Sequence, residues 1–430
     1  MHADVIIIGA GLAGLSCALT LEAEGQKVLL LEASDRAGGR LRTDQHEGFL
    51  LDRGFLVLQT WYPAAQRWLD YEALDLRPFH NGALLRFDGQ THRITDVWRS
   101  PQRMIEMLRS PVGTLGDKLR LLRLRQRALS GDLRALYNRP ETTALASLQA
   151  QGFTPKFIER FFLPFFSGVF FDPQLSVSSR SLEFVFRAFA LGNTALPARG
   201  MQAIADQLVS RLNPGTLQCH TTVQNVRGTT PERGRTPVVV ERGLTPFLEA
   251  KAVVVATDAR AARRLLGQPD AEQPMRRSVC VYYAANEAPI DGPYLLLNSE
   301  TVNGKPRGVI NSVLCPSNLS RHYAPPDKHL VTVNLDAGDT PLETLLERLA
   351  IELRHWFGAA AAHWQQLKVY DLPEALPVQA PPVTYPGDAV LRKDESLWVC
   401  GEYASAPSFQ WALHNGERTA REVLDYLAQK

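Results

Sequence analysis

With 430 residues, 45% of them hydrophobic, the chain is long enough for two or three domains with substantial cores. A formal net charge of +2 excludes any global electrostatic pull toward nucleic acid or an acidic polymer. Its five cysteines, Cys17, Cys219, Cys280, Cys315 and Cys400, form no C-x-x-C and no metal-ligand spacing, which fits a reducing cytoplasm and argues against a redox dithiol.

The first predicted element is a buried strand, Val5-Ile6-Ile7-Ile8, which runs into Gly9-Ala10-Gly11-Leu12-Ala13-Gly14, a G-x-G-x-x-G turn. Gly9 allows the tight turn, Gly11 admits a pyrophosphate without a Cβ in its way, and Gly14 lets the following helix sit close on the strand. That helix is predicted over 12–24, aiming its free N–H groups at an anion, and Gly25 ends it. A second buried strand, 27–31, then delivers Glu32 and its neighbour Ala33 to the position where a carboxylate accepts from an adenosine ribose. Residues 5–21 carry no charge, but Asp4 precedes them and the glycines hold fingerprint positions, so neither a signal sequence nor a transmembrane helix is expected.

The pattern continues with Ala37-Gly38-Gly39-Arg40, Thr43 and Asp52-Arg53-Gly54-Phe55. On these residues the chain resembles the flavin amine oxidase, phytoene desaturase and protoporphyrinogen oxidase superfamily. The resemblance implies non-covalent FAD, with the G-G-R segment wrapping the pyrophosphate and the D-x-G segment reaching the isoalloxazine. A plain loop with a solvated Arg40 is the alternative for the first of them.

Farther along, Trp61-Tyr62-Pro63 opens a domain crossover, and Leu84 to Gln90 reads as a hairpin turning at Asp88-Gly89. Residues 99–139 are rich in arginine, and Leu115, Leu119, Leu122, Leu129, Leu133 and Leu136 recur at helical spacing, so an amphipathic helix or helix pair with a basic outer face is expected there. It serves either as a solvated face on a core-packed helix or as a peripheral contact with anionic membrane. Phe161, Phe162, Phe165, Phe166, Phe170 and Phe171 crowd one segment; they are core rings or the wall of an apolar substrate cavity.

By the same resemblance, Leu196-Pro197-Ala198-Arg199-Gly200-Met201 returns the chain to the FAD domain, and Val223, expected in an alternating strand, holds adenine. The strand 251–256, ending at Ala256 before Thr257-Asp258, closes over the cofactor. Residues 278–335 are strand-rich, with turns at Asp291-Gly292 and Asn303-Gly304, then a helix over 343–356 and a proline-rich crossover over 372–386. At the C-terminus, Ser396 to Glu402 is a strand ending in Gly401 and Glu402, the acid implied to bond the ribitol. The helix beginning near Ser408 presents Trp411, Ala412 and Leu413, the last two aiming N–H groups at the flavin pyrimidine.

The expected fold is therefore α/β: a three-layer Rossmann-like FAD domain from 1–60, 195–270 and 388–430, with a discontinuous α+β substrate domain of mixed sheet and helices from 61–194 and 271–387. Two departures bear on chemistry. Trp411 stands where the family commonly has glycine, and Ser408 stands where amine oxidases carry a cage aromatic, with the flavin-side lysine unidentified although Lys305 lies in the sheet region. A single G-x-G-x-x-G leaves no second nucleotide domain for NAD(P)H. These features favour hydride transfer from a C–H bond of a small apolar substrate to FAD, with electrons passing to oxygen, a quinone or another acceptor, and no acid–base pair legible. The alternatives are oxidation of an amine, or a non-catalytic module similar to Rab GDP-dissociation inhibitors; those lose the third fingerprint glycine, whereas Gly14 is intact.

Overall fold

The apolar run at the start of the chain forms the strand Ala3–Ile8, inside an eight-stranded sheet. It pairs in parallel with Val28–Leu31 on one side and with Thr245–Val255 on the other. Leu217–Gln218 extends the sheet beyond Val28–Leu31, and Leu397–Val399 runs parallel to the end of Thr245–Val255. Both faces of these strands are covered, which is why they read as unbroken apolar runs. On one face the helix Leu12–Ala23 packs against the C-terminal helix Phe409–Ala428, where Ser16 donates to the Leu413 carbonyl at 3.1 Å. On the other face the helix Ala259–Leu265 buries Ala262 and Leu265 against Ile6, Ile8, Val253 and Val255. A computed structural model describes the protein over residues 3–96, 99, 102, 110–227, 238–242, 245–268, 274–302, 305–401 and 404–429.

A second, seven-stranded sheet runs in the order Gln365–Pro377, Met275–Ala285, His329–Leu335, Ile310–Leu314, Leu296–Asn298, Gly82–Phe87 and Gln90–Thr95. Its pairings are antiparallel except for Leu296–Asn298 with Gly82–Phe87, so the sheet is mixed. The helix Leu342–Phe357 covers one face; on the other side the helix Leu163–Phe170 buries Phe166 and Phe170, and the helix Ser179–Leu191 buries Leu182, with Leu85 and Leu297. Among the described residues no helix is long and apolar enough to cross a membrane.

The chain departs from the sequence expectation at four places. Val223 is not in a strand; it lies two residues before Asn225–Arg227, buried with Ile6 and Leu31. The first part of the proline-rich stretch, 372–377, is strand, because Gln365–Pro377 is an edge and an edge tolerates a missing donor. Lys305 belongs to a separate two-residue ribbon with Thr301–Val302, and the Asn303-Gly304 turn lies outside the described residues.

The fourth departure is the largest. In the helix Leu115–Leu129 the leucines that marked the core stripe, Leu115, Leu119 and Leu122, point outward, and Leu121, Leu124 and Ala128 are buried instead. Leucines occupy both faces, so periodicity alone does not choose which one is covered. Tertiary bonds choose. Asp117, fully buried, completes a capping box with Thr114 and also accepts from Thr154 N at 2.8 Å and Thr154 Oγ1 at 2.8 Å, which fixes the rotation of the helix. Residues 103–109, part of the same basic region, lie outside the described residues.

Candidate cofactor cradle and substrate cavity

The glycine turn is shaped by contacts that leave no room for a side chain. Gly9 has φ +102°, and a Cβ there would meet the Ala256 carbonyl oxygen at 2.8 Å; a Cβ at Gly14 would collide with the Gly9 carbonyl. Gly11 differs, since its Cβ would meet nothing within 4 Å. It is the N-cap of the helix Leu12–Ala23, with no side-chain cap and no acid in the first turn, so the free amides face an open cradle. Gly38 and Gly39 come back over this turn: Gly38 N donates to the Ala10 carbonyl at 2.9 Å, and a Cβ on Gly39 would lie 3.3 Å from Gly11 Cα.

Glu32 is held in place by its own neighbours. Its Oε2 accepts from Ala10 N at 2.8 Å, and its Oε1 accepts from Ser34 N at 2.9 Å and Ser34 Oγ at 2.7 Å. Oε2 therefore keeps a second lone pair for a hydroxyl donor. Ala33 beside it is exposed, Leu12 and Ala13 are buried, and Arg40 reaches away to donate to the Ala375 carbonyl at 2.8 Å. The far end of the chain closes the same place, since Gly401 sits against Ala13 and Thr257, and Ala256 N donates to the Ile8 carbonyl at 2.8 Å. Glu402 lies outside the described residues. An uncapped helix start, an open position at Gly11 and an acid with an oxygen to spare fit the pyrophosphate and ribose of a dinucleotide.

The segment after the cradle is welded to the returning chain by a buried acid. Asp52 Oδ1 accepts from Thr43 Oγ1 at 2.5 Å and Met201 N at 2.9 Å, while Oδ2 accepts from Tyr323 Oη at 3.1 Å. Gln202 N in turn donates to Thr43 Oγ1 at 3.0 Å, and Tyr282 Oη to the Asp52 carbonyl at 2.7 Å. Burial pushes the Asp52 carboxyl up to about 6 in spite of the bonds from Thr43, Met201 and Tyr323. Gly54 follows, buried against Leu372, and Phe55 then enters an apolar cavity.

The cavity has a volume of about 220 Å³. Phe161, Phe165, Phe166 and Val169 wall it on one side, as the sequence suggested, but Phe186 and Phe189 of the helix Ser179–Leu191 wall it equally. These two were missed; the only sequence signal is the spacing of Phe184, Phe186 and Phe189 in an amphipathic helix. Asp96, the single carboxylate among the described residues of the lining, lies 3.6 Å from Arg99.

The C-terminal helix corrects two details. Ser408 is its N-cap, accepting from Trp411 N at 3.1 Å, and Ala412 N donates to the Ser408 carbonyl at 2.9 Å. The amides without an intrahelical partner are therefore those of Phe409 and Gln410, earlier than expected. Trp411 turns away from the cavity and packs edge-on against Tyr385 at 5.4 Å and Tyr137 at 6.2 Å, with Phe184 at 5.8 Å. Leu413 is fully buried beside it.

The sequence profile of the family described as flavin containing amine oxidoreductase matches residues 12–424. An L-amino-acid oxidase of Naja atra is 25% identical over 291 residues, 62% of this chain and 53% of that protein, so the chain spans about half the length of that curated relative. Two solved structures share the fold. A putrescine oxidase double mutant superposes with a TM-score of 0.72 at 16% identity, covering 99% of each chain. A candidate protoporphyrinogen oxidase from Exiguobacterium sp. 255-15 does so with 0.71 at 16% identity, again over 99% of each.

Proposed function

The chain belongs to the flavin-containing amine oxidoreductase family, and with it to the FAD-dependent oxidoreductases; from that premise we propose that it oxidises an apolar substrate at a C–H bond of carbon. The observation that carries the proposal is the aromatic cavity, which runs from Phe55, next to the buried Asp52–Gly54 segment, to the phenylalanines of two helices. Rings offer large contact area with little rotamer entropy to lose, and among the described residues the only carboxylate of the lining stands beside an arginine, so no free carboxylate there pairs with an ammonium group.

Bound FAD supplies an acceptor for the hydride of the oxidised C–H bond, and the substrate's second hydrogen leaves as a proton. The chain's own residues do the rest. The amides at Gly11 and Leu12 and the Gly38-Gly39 turn would hold the pyrophosphate, Glu32 the ribose, and Gly401 the approach of the flavin end. Asp52, through Thr43 and Met201, fixes the backbone that carries Phe55. Phe161, Phe165, Phe186 and Phe189 exclude water and align the reacting carbon, which is where most of the barrier reduction of such a transfer arises.

Oxidation of an amine is the second reading, favoured by the names of the relatives. Anaerobic mixing of the oxidised protein with a panel of amines, polyenes and porphyrinogens, while flavin absorbance is followed, separates the two. Bleaching by a polyene or porphyrinogen with simple amines inert is expected. Fast bleaching by a primary or secondary amine alone reverses the assignment.

A further inference from the structure

Three leucines in one helix are left in solvent without an apparent structural use. Leu115 is 62% exposed, Leu119 51% and Leu122 43%, although each stands a turn from the next on one face of the helix Leu115–Leu129. Large apolar side chains scattered singly need no explanation, but a contiguous outward stripe does. The helix carries five cationic residues, Lys118, Arg120, Arg123, Arg125 and Arg127, against one acid, Asp117, which is turned inward and fully buried. At 100° per residue, Arg123 and Arg127 lie along one flank of the stripe; Arg127 is held by the buried Glu183 at 2.8 Å, and Arg123 is the exposed cation beside the leucines. Burial raises the Asp117 carboxyl less than the donors of Thr154 and Thr114 lower it, so it stays below the usual carboxylate range and the helix is locked with its leucines outward.

The same helix walls the cavity. Leu121 and Arg125 line it from the inner face, and the helix Ser179–Leu191, which supplies Phe186 and Phe189, ends in Leu191, 44% exposed. Exposed leucines therefore sit on two of the helices that line the cavity. We propose that the face formed by Leu115, Leu119 and Leu122 seats the protein on an anionic lipid bilayer, the leucines entering the acyl boundary and Arg123 meeting the headgroups. An apolar substrate dissolved in the bilayer then reaches the cavity without crossing water; that step alone rests on the substrate reading above, while the docking does not.

Vesicle co-sedimentation of the FAD-loaded protein tests the docking without any substrate. Pelleting is expected with phosphatidylcholine vesicles that contain phosphatidylserine, weaker with phosphatidylcholine alone, and weaker again at high salt. The triple variant Leu115→Ser, Leu119→Ser, Leu122→Ser should lower partitioning at least about tenfold, with flavin spectrum and melting temperature kept. Arg123→Glu should abolish the preference for phosphatidylserine. Absence of pelleting with both vesicle types overturns the proposal, as does pelleting that the triple variant retains. So does sedimentation velocity showing a dimer that the triple variant converts to monomer, which would assign the face to a second copy of the chain.

Discussion

The cradle around Gly11 and the basic helix Leu115–Leu129 both depend on a fully buried aspartate, and the two acids are poised in opposite directions. Asp52 is pushed up to about 6 by burial, while Asp117 is held below the ordinary range by backbone and hydroxyl donors. Asp52 holds the cradle's outgoing chain through three donors from three segments, and desolvation wins. Asp117 sits at a helix start, where a negative charge is also favoured by the helix itself, and its donors win. A buried carboxylate can thus secure a fold either way; what differs is the pH at which it does so.

The largest effect expected is at the cradle. Gly14→Val places side-chain atoms on the Gly9 carbonyl, and the purified protein should retain no flavin absorbance. Gly11→Ala, with open space around its Cβ, should leave the melting temperature of the apoprotein unchanged and weaken FAD binding about tenfold or more, as titration of flavin fluorescence would show. Equal loss of stability in both variants would erase the distinction between packing glycine and binding glycine.

Next is Glu183, which is buried and receives Arg127 Nε at 2.8 Å as well as Arg139. Removing it leaves the largely buried Arg139 without its counter-charge, so Glu183→Ala should lower unfolding free energy by about 4 kcal/mol in urea. Leu121→Ala, on the covered face of the basic helix, should cost about 3 kcal/mol, whereas Leu115→Ala on the outward face should stay within about 0.5 kcal/mol. A comparable cost at Leu115 would mean that this face is covered.

The two aspartates give the smallest effects and the sharpest contrast. Because the folded Asp52 carboxyl is raised, its contribution is fully present below about 4 and is lost as pH rises through about 6, by on the order of 2 kcal/mol. Asp52→Asn should therefore gain on the parent as pH rises from 4.5 to 7.5 (about 1 to 2 kcal/mol over this span). Asp117→Asn should do the reverse: it is the weaker protein at neutral pH, and the gap closes as pH falls through the depressed carboxyl range. Denaturant titrations at the two pH values read Asp52, and a second pair, at about pH 4.5 and about pH 2.5, reads Asp117; parallel curves for variant and parent in both spans would contradict the assignment of the two environments.

How much of this was legible follows from what each residue answers to. Gly9 by its positive φ and Gly14 by a collision with the Gly9 carbonyl of the same turn demand what only glycine supplies, so the turn, its helix and the strands beside it could be placed from the residues alone. The density of Phe161 to Phe171 marked an apolar cluster without telling core from wall: Phe162 and Phe170 are buried away from the cavity, and Phe161, Phe165 and Phe166 line it. The outward face of Leu115–Leu129 was not legible, because leucines line both sides of that helix and the choice is made by Thr154, nearly forty residues away. The packing of Trp411 was not legible for the same reason: its partners Tyr137, Phe184 and Tyr385 come from three distant stretches. Val223 keeps its burial but not its strand, since the core accepts an apolar side chain from a loop as readily as from an extended one.

The central claim is that the phenylalanine-walled cavity is where the substrate gives up its hydride. Val169→Trp would fill that cavity from its own wall while leaving the cradle untouched. The decisive measurement is anaerobic stopped-flow reduction of the flavin, in parent and variant, by the panel compound that bleaches the parent fastest, with dithionite as the control reductant. The account predicts that reduction by the compound slows at least about a hundredfold in the variant while dithionite reduces both proteins alike. Unchanged reduction by the compound in the variant would contradict it.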